Sequence, residues 1–139
     1  MPRTALSSLT QTIHPSLNSF IMEQLNRIEL QGTVGSVVVH VIGSSRVARF
    51  SLATNYAFKD KQGCPVIETT WHQVTAWEGE RVCDLDLISR GSALRVEGRL
   101  RIQRYTASDG LEKTAYDVVA SSVTPLPDGD RLQPQERQD

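Results

Sequence analysis

Cysteine, charge of one sign and long apolar runs are all scarce in this 139-residue chain, and each scarcity removes a class of protein. The 2 cysteines, Cys64 and Cys83, show no Cys-x-x-Cys spacing, which argues against both a disulfide-stapled scaffold and a paired zinc ligand set. They read as reduced thiols of a cytoplasmic protein. The longest apolar stretch, Val37 to Ile42, is broken by His40 and is far too short to span a bilayer. One arginine and no continuous apolar run mark the N-terminus, so it does not read as a secretory signal. A Gly-rich phosphate loop is absent as well. Charge is nearly balanced, with 15 Lys and Arg against 16 Asp and Glu. The acidic excess lies at the end: Arg27 to Val123 carries 12 basic against 11 acidic residues, and the stretch from Thr124 onward 2 against 4. Any affinity for phosphate therefore rests on how charges are arranged on faces.

What the chain does have is concentrated in Thr69 to Trp77. At the strand period of two, Thr69, Trp71, Gln73, Thr75 and Trp77 share one face, and Thr70, His72, Val74 and Ala76 the other. The 2 tryptophans of the chain thus stand on the same side, among polar neighbours, while the aliphatic residues point to where a core would be. Rings held in water by a rigid sheet suggest a stacking surface for a partner. Packing of one indole in a subunit contact or a second core is the plainer alternative.

The surrounding chain reads as β-structure. Residues 1–24 are polar and are expected to form a disordered or mis-annotated extension, with Met22 a candidate translation start. A first strand from Arg27 carries Ile28, Leu30 and Val34, then Val37, Val39 and Val41, with Gly32 and Gly35 marking a bulge or corner. Arg46 to Thr54 is predicted as a second strand with Ala48, Phe50 and Leu52 inward, followed by a long loop over Asn55–Pro65. Val66 to Trp77 is the third strand. The spacing of Val82, Leu85 and Ile88, with Gly91 beyond, predicts one short helix. In the fourth strand, Ala93 to Tyr105, Leu94, Val96, Gly98, Leu100 and Ile102 face one way and Arg95, Arg99, Arg101 and Tyr105 the other, a basic stripe with an aromatic tip. Glu112 to Val123 is the fifth strand, and residues 125–139, rich in proline and polar residues, are expected to be a disordered tail. Five strands with one helix between the third and fourth is the order of an OB-fold, a small Greek-key barrel that binds oligonucleotides or oligosaccharides. Residues 25–124 would form that domain.

In this order and spacing, several segments resemble the bacterial single-stranded DNA-binding protein family. They are Phe50–Thr54, Phe58–Lys61, Thr70–Val74 (Thr-Trp-His-Gln-Val), Arg90–Ser92, Val96–Arg101 (Val-Glu-Gly-Arg-Leu-Arg), and Tyr105 with Asp109–Gly110. The resemblance implies that DNA winds over Phe58, Trp71, Trp77 and Tyr105, that the chain forms a homotetramer, and that it serves replication, recombination and repair in the cytoplasm, at the nucleoid. The chain departs from the family at its end. The usual acidic tip that recruits replication and repair proteins is absent, since the sequence closes on Gln133-Pro-Gln-Glu-Arg-Gln-Asp139.

Stacking on rings tolerates any base, and Lys59, Lys61, Arg49, Arg95, Arg99, Arg101 and Arg104 are the candidates to neutralise phosphates. His72 lies on the aliphatic face and reads as a hydrogen-bonded or interface histidine. A Cys64/His72/Cys83 zinc site and a Cys–His nucleophile both lack supporting spacing. No cofactor, metal, membrane association or enzymatic activity is expected. The alternative that keeps the fold is an adaptor of a primosome-like complex that mainly contacts proteins.

Overall fold

A computed structural model describes residues 22–127 and 132–137; most of the N-terminal extension lies outside the described residues. Five strands close into a barrel: β1 (Ile28–Ile42), β2 (Ser45–Lys59), β3 (Pro65–Trp77), β4 (Ala93–Thr106) and β5 (Glu112–Pro125). The order around the sheet is β1-β4-β5-β3-β2, and a further β1–β2 pairing closes it. Among these five strands every pairing is antiparallel except the short parallel one between β3 and β5, where Val74 and Thr75 pair with Val118 and Val119. This is the expected OB-fold.

Closure depends on β1 serving two neighbours. Its first part, Ile28 to Thr33, pairs with β4, and its later part, Thr33 to Ile42, pairs with β2. The register shifts between Val34 and Val37, a bulge over Gly35 and Ser36. Backbone bonds from Val34 N to Ser92 O and from Gly91 N to Val34 O, both 2.9 Å, tie the bend to the turn that opens β4. Gly91 holds φ +89° there, a left-handed conformation that glycine adopts freely. Gly32 is required by proximity: a Cβ at this position would collide with the Ala53 carbonyl oxygen where β1 crosses β2.

The inward residues follow the period-two reading. Ala48, Phe50, Leu52, Val74, Ala76, Leu94 and Val96 are buried, with Leu30, Val34, Val118 and Val123 completing the core. Val118 and Val123 are an odd number of positions apart and still both face inward. The register shift opposite Glu97 and Gly98 inserts one extra residue, Ser121, into β5 and restores the phase. Leu100 and Ile102 differ from the expectation of an inward face: both are exposed, because the β4–β5 hairpin runs past the end of the barrel.

Two predicted elements differ. The helix between the third and fourth strands is a single 3-10 turn, Leu85–Leu87, capped by the Asp84 side chain. A turn with Val82 N donating to Gly79 O precedes it, and a helix cannot run on from there, since Cys83 N donates to Val123 O and Val123 N to Arg81 O, which ties this stretch to β5. Leu85 and Ile88 are buried, so the apolar spacing reflects a plug on the core and not a helix face. The long loop of Asn55–Pro65 is likewise mostly strand. β2 and β3 stay paired out to Lys59 and Pro65, and Asp60 Oδ1 closes a tight turn by accepting from Gln62 N and Cys64 N. Near the C-terminus a two-residue strand, β6 (Gln135–Glu136), pairs in parallel with Tyr56 and Ala57 of β2.

Leu85 fills the barrel end without belonging to any strand. Leu85→Ala should lower unfolding free energy by about 2–5 kcal/mol in urea titrations, the usual range for an aliphatic truncation in a core; a loss under 1 kcal/mol would mean the plug packs loosely.

Candidate nucleic-acid interface

β3 presents its odd positions to solvent, as its alternation requires. Trp71 is 57% exposed and Trp77 43%, about 20 Å apart along the strand at 3.3 Å per residue. Their register partners on β2 are Ala53 and Val47. The ring of Trp71 lies over the β1 bulge, where a Cβ on Gly35 would come within 2.5 Å of the indole Cζ3. Beside it a shallow groove of about 540 Å³ is lined by Gly35, Ser36, Ser51, Trp71, Gln73 and Arg90, among others. Ser36 and Ser51 join across its floor, with the Ser36 N–H donating to the Ser51 hydroxyl at 3.0 Å.

The same outer face continues onto β4 and β5. Arg99, Arg101 and Tyr105 of β4 pair with Val119, Asp117 and Lys113 of β5, and Arg49 of β2 pairs with Thr75. Thr75 joins the strands: at 7% exposure it is the buried polar residue among those described, and its hydroxyl donates to Asp117 Oδ2 at 3.0 Å. Arg101 meets the same carboxylate with a two-pronged contact, Nε to Oδ1 at 3.0 Å and Nη2 to Oδ2 at 2.7 Å. The Arg101 guanidinium holds the Asp117 carboxyl below the usual carboxylate range against the opposing effect of burial, with the Thr75 hydroxyl and the Arg49 charge assisting.

Trp71, Trp77, Tyr105, Arg49, Arg99 and Arg101 therefore share one face. The other candidates are placed differently. Phe58 sits at an even position of β2, on the opposite face of the β2–β3 hairpin; its ring is tilted 35° against Tyr56 with centroids 6.2 Å apart. The Arg137 guanidinium lies over that ring, 5.2 Å from its centroid. Lys59 and Lys61 are exposed at the end and turn of the same hairpin. Arg104 points to the side of β4 opposite Tyr105 and is exposed. Arg95 is outward but engaged with Glu29 and Glu97 in a cluster that includes Arg27. His72 is half-buried, its Nε2 is 2.9 Å from the Thr54 hydroxyl, and burial pushes its pKa down, so it is neutral at physiological pH. Cys64 is exposed at the hairpin turn and Cys83 is partly buried beside β5; among the described residues no cluster of three potential metal ligands occurs.

Sequence reasoning did not single out Asp117, and it gave no binding role to Thr75, noted only as a polar neighbour of the tryptophans, or to Arg90, noted only within the Arg90–Ser92 segment. A signal for Asp117 existed: a turn pairing Thr106 with Glu112 places residue 117 opposite Arg101 by simple counting along the hairpin.

A closed five-strand barrel with rings and guanidinium groups on one outer face belongs to the class of oligonucleotide- or oligosaccharide-binding folds. The model of the single-strand binding protein family matches residues 25–126, and the chain belongs to that family. It is 32% identical over 104 residues to a single-stranded DNA-binding protein of Neisseria meningitidis, covering 73% of this chain and 60% of the relative. The chain thus spans less than two thirds of that relative's length. Similarity to the mitochondrial single-stranded DNA-binding protein of Oryctolagus cuniculus is 31% over 139 residues, covering 91% of this chain and 94% of the relative. Among solved structures, the Plasmodium falciparum SSB complex with ssDNA superposes with a TM-score of 0.64 at 27% identity, over 76% of this chain and 98% of that one. A deletion mutant of the Thermus aquaticus single-stranded DNA binding protein gives 0.61 at 27% identity, over 73% and 50%.

Because the folded-state pKa of Asp117 is depressed, its contacts stabilise the fold above the unfolded carboxylate range of about pH 4 and lose that effect as pH falls through the lower folded value. Asp117→Asn should therefore be less stable than the parent near neutral pH, and the two urea midpoints should converge below about pH 4. A gap that does not vary with pH would show that the charge of Asp117 is irrelevant to stability.

Proposed function

We propose that this chain binds single-stranded DNA without sequence preference, shielding it during replication, recombination and repair. The observation that carries this reading is the pair of outward indoles, Trp71 and Trp77, on a face shared with Arg49, Arg99 and Arg101. Every base has a π-face, so stacking on such rings selects no sequence, at about 1–3 kcal/mol per base by alanine substitution. Duplex DNA hides those faces, which supplies the preference for single strands. Tyr105 extends the track along β4, and Phe58 serves a strand that passes around the hairpin to its other face. Lys59, Lys61, Arg49, Arg99 and Arg104 are exposed cations suited to phosphates. Membership of the family and the superposition on the Plasmodium falciparum SSB complex with ssDNA support the reading.

Residues 25–124 are the proposed DNA-binding domain and 125–139 its tail. A homotetramer follows the family pattern, and apolar residues exposed on the distal half of β1 (Val38, Val39, Val41 and Ile42) offer a surface for it. Among the described residues no helix is long and apolar enough to cross a membrane. Work at the nucleoid in the cytoplasm is the proposed setting. The role is binding rather than catalysis: acidic residues near the 3-10 turn are engaged with Arg46 through Glu78, Asp84 and Asp86.

Trp71→Ala should weaken oligo(dT) binding more than about tenfold, the upper part of the range for one stacked base, while leaving the melting temperature nearly unchanged. Loss of folding without a separable binding defect would instead make Trp71 a structural residue. Oligo(dT), and not duplex, should quench the intrinsic tryptophan fluorescence; equal quenching by both would remove the stacking mechanism. Comigration with oligo(dT) in size exclusion separates this reading from a protein-binding adaptor, which need not shift.

A further inference from the structure

We propose that Asp117 is a positioning residue that carries a built-in counterion into the DNA track: it turns Arg101 from a mobile phosphate-neutralising charge into a fixed hydrogen-bond donor. The inference rests on the single-stranded DNA reading and specifies which cations produce its salt dependence.

The geometry is that of a braced pair. Asp117 accepts two hydrogen bonds from Arg101 and one from Thr75, and its side chain is only 15% exposed. Thr75 lies two residues from Trp77 and four from Trp71 on the same strand face, so the carboxylate that its hydroxyl meets stands, along β3, at a level between those of the two indoles and on the β5 side. A negative charge in the middle of a path for phosphates is costly unless it is cancelled where it stands. Arg101 cancels it. The fork uses the Nε hydrogen and one on Nη2, which leaves three N–H groups, one on Nη2 and two on Nη1, for other acceptors. A planar donor held this way keeps a single orientation and loses little side-chain entropy on meeting DNA.

The thermodynamic consequence concerns ions. A lysine or arginine that neutralises a phosphate displaces condensed cations, and each such contact steepens the fall of log K with log salt by about 0.7 for single strands. Arg49 and Arg99 have no carboxylate within 4.0 Å among the described residues. Arg101 arrives already neutralised. It contributes hydrogen bonds to DNA while displacing no cation, so the local affinity it supplies is insensitive to salt.

The test is a set of oligo(dT) titrations of the full chain by tryptophan quenching, between about 0.05 and 0.2 M NaCl, where the slope is well defined. Asp117→Asn frees the Arg101 charge and should steepen the slope by about 0.7. The charge-neutral double variant Arg101→Gln/Asp117→Asn should keep the parental slope and bind about threefold to tenfold more weakly at every salt concentration, the worth of one or two net hydrogen bonds. Arg49→Gln, on the same face and with no carboxylate within 4.0 Å among the described residues, should flatten the slope by about 0.7. The proposal is overturned if Asp117→Asn leaves the slope unchanged, if the double variant flattens it as Arg49→Gln does, or if the double variant binds like the parent. Each slope is measured within one variant, so a stability loss that leaves the protein folded does not enter, and the single isosteric change stands alone should the double variant not fold. A parent chain that failed to bind oligo(dT) at all would defeat the DNA-binding reading itself, a different result from any of these.

Discussion

The close approach of β1 to its neighbours is the constraint on which the rest of this structure depends. One strand must hydrogen-bond to β4 with its first half and to β2 with its second, and it can do so only by bending where Gly32 and Gly35 lack side chains. Without that bend the sheet has two open edges and no enclosed interior. With it, Phe50, Leu52, Leu94 and Val96 are sealed from water, and the outer faces of β2 and β3 are held rigid. The same glycine that permits the bend, Gly35, leaves the space over which the Trp71 ring lies. Closure of the core and presentation of an exposed indole are thus consequences of one local choice.

A rigid wall matters because large rings in water are held there at a cost. Trp71 and Trp77 would gain by burial, yet the period of the strand and the aliphatic demands of Val74 and Ala76 point them outward. At a level between them the sheet places a polar junction, Thr75–Asp117–Arg101, which binds β3, β5 and β4 together. Keeping a carboxylate and a guanidinium there yields an oriented polar surface between two stacking rings.

The β2–β3 and β4–β5 hairpins extend this surface beyond the barrel. Both stay paired well past the last core residue, through Phe58 opposite Val66 and through Tyr105 opposite Lys113. Phe58 and Trp71 occupy opposite faces of one ribbon, so the aromatic side chains form a set that surrounds the hairpin more than a flat row. The residues at 135–137 lie against the Phe58 side, with Arg137 over the ring.

Alternation alone determined which side of each strand is core: Ala48, Phe50 and Leu52, like Val74 and Ala76, are inside because side chains in a strand must alternate and only one side is aliphatic. The outward direction of both tryptophans was legible for the same reason, as was a bulge at the β1 glycines. What lies between the strands was not. The apolar spacing of Val82, Leu85 and Ile88 suits a helix as well as a plug, and backbone bonds to Val123, a partner far along the chain, decide for the plug. Hairpin length was hidden because Asn55 to Lys59 lacks aliphatic alternation, although its backbone pairs fully. Most of all, charges that look alike in the sequence differ in the fold: Arg49 and Arg99 stay open while Arg95 and Arg101 meet carboxylates. Which arginine is free depends on cross-strand register and on a bulge, and those are set only when the barrel closes.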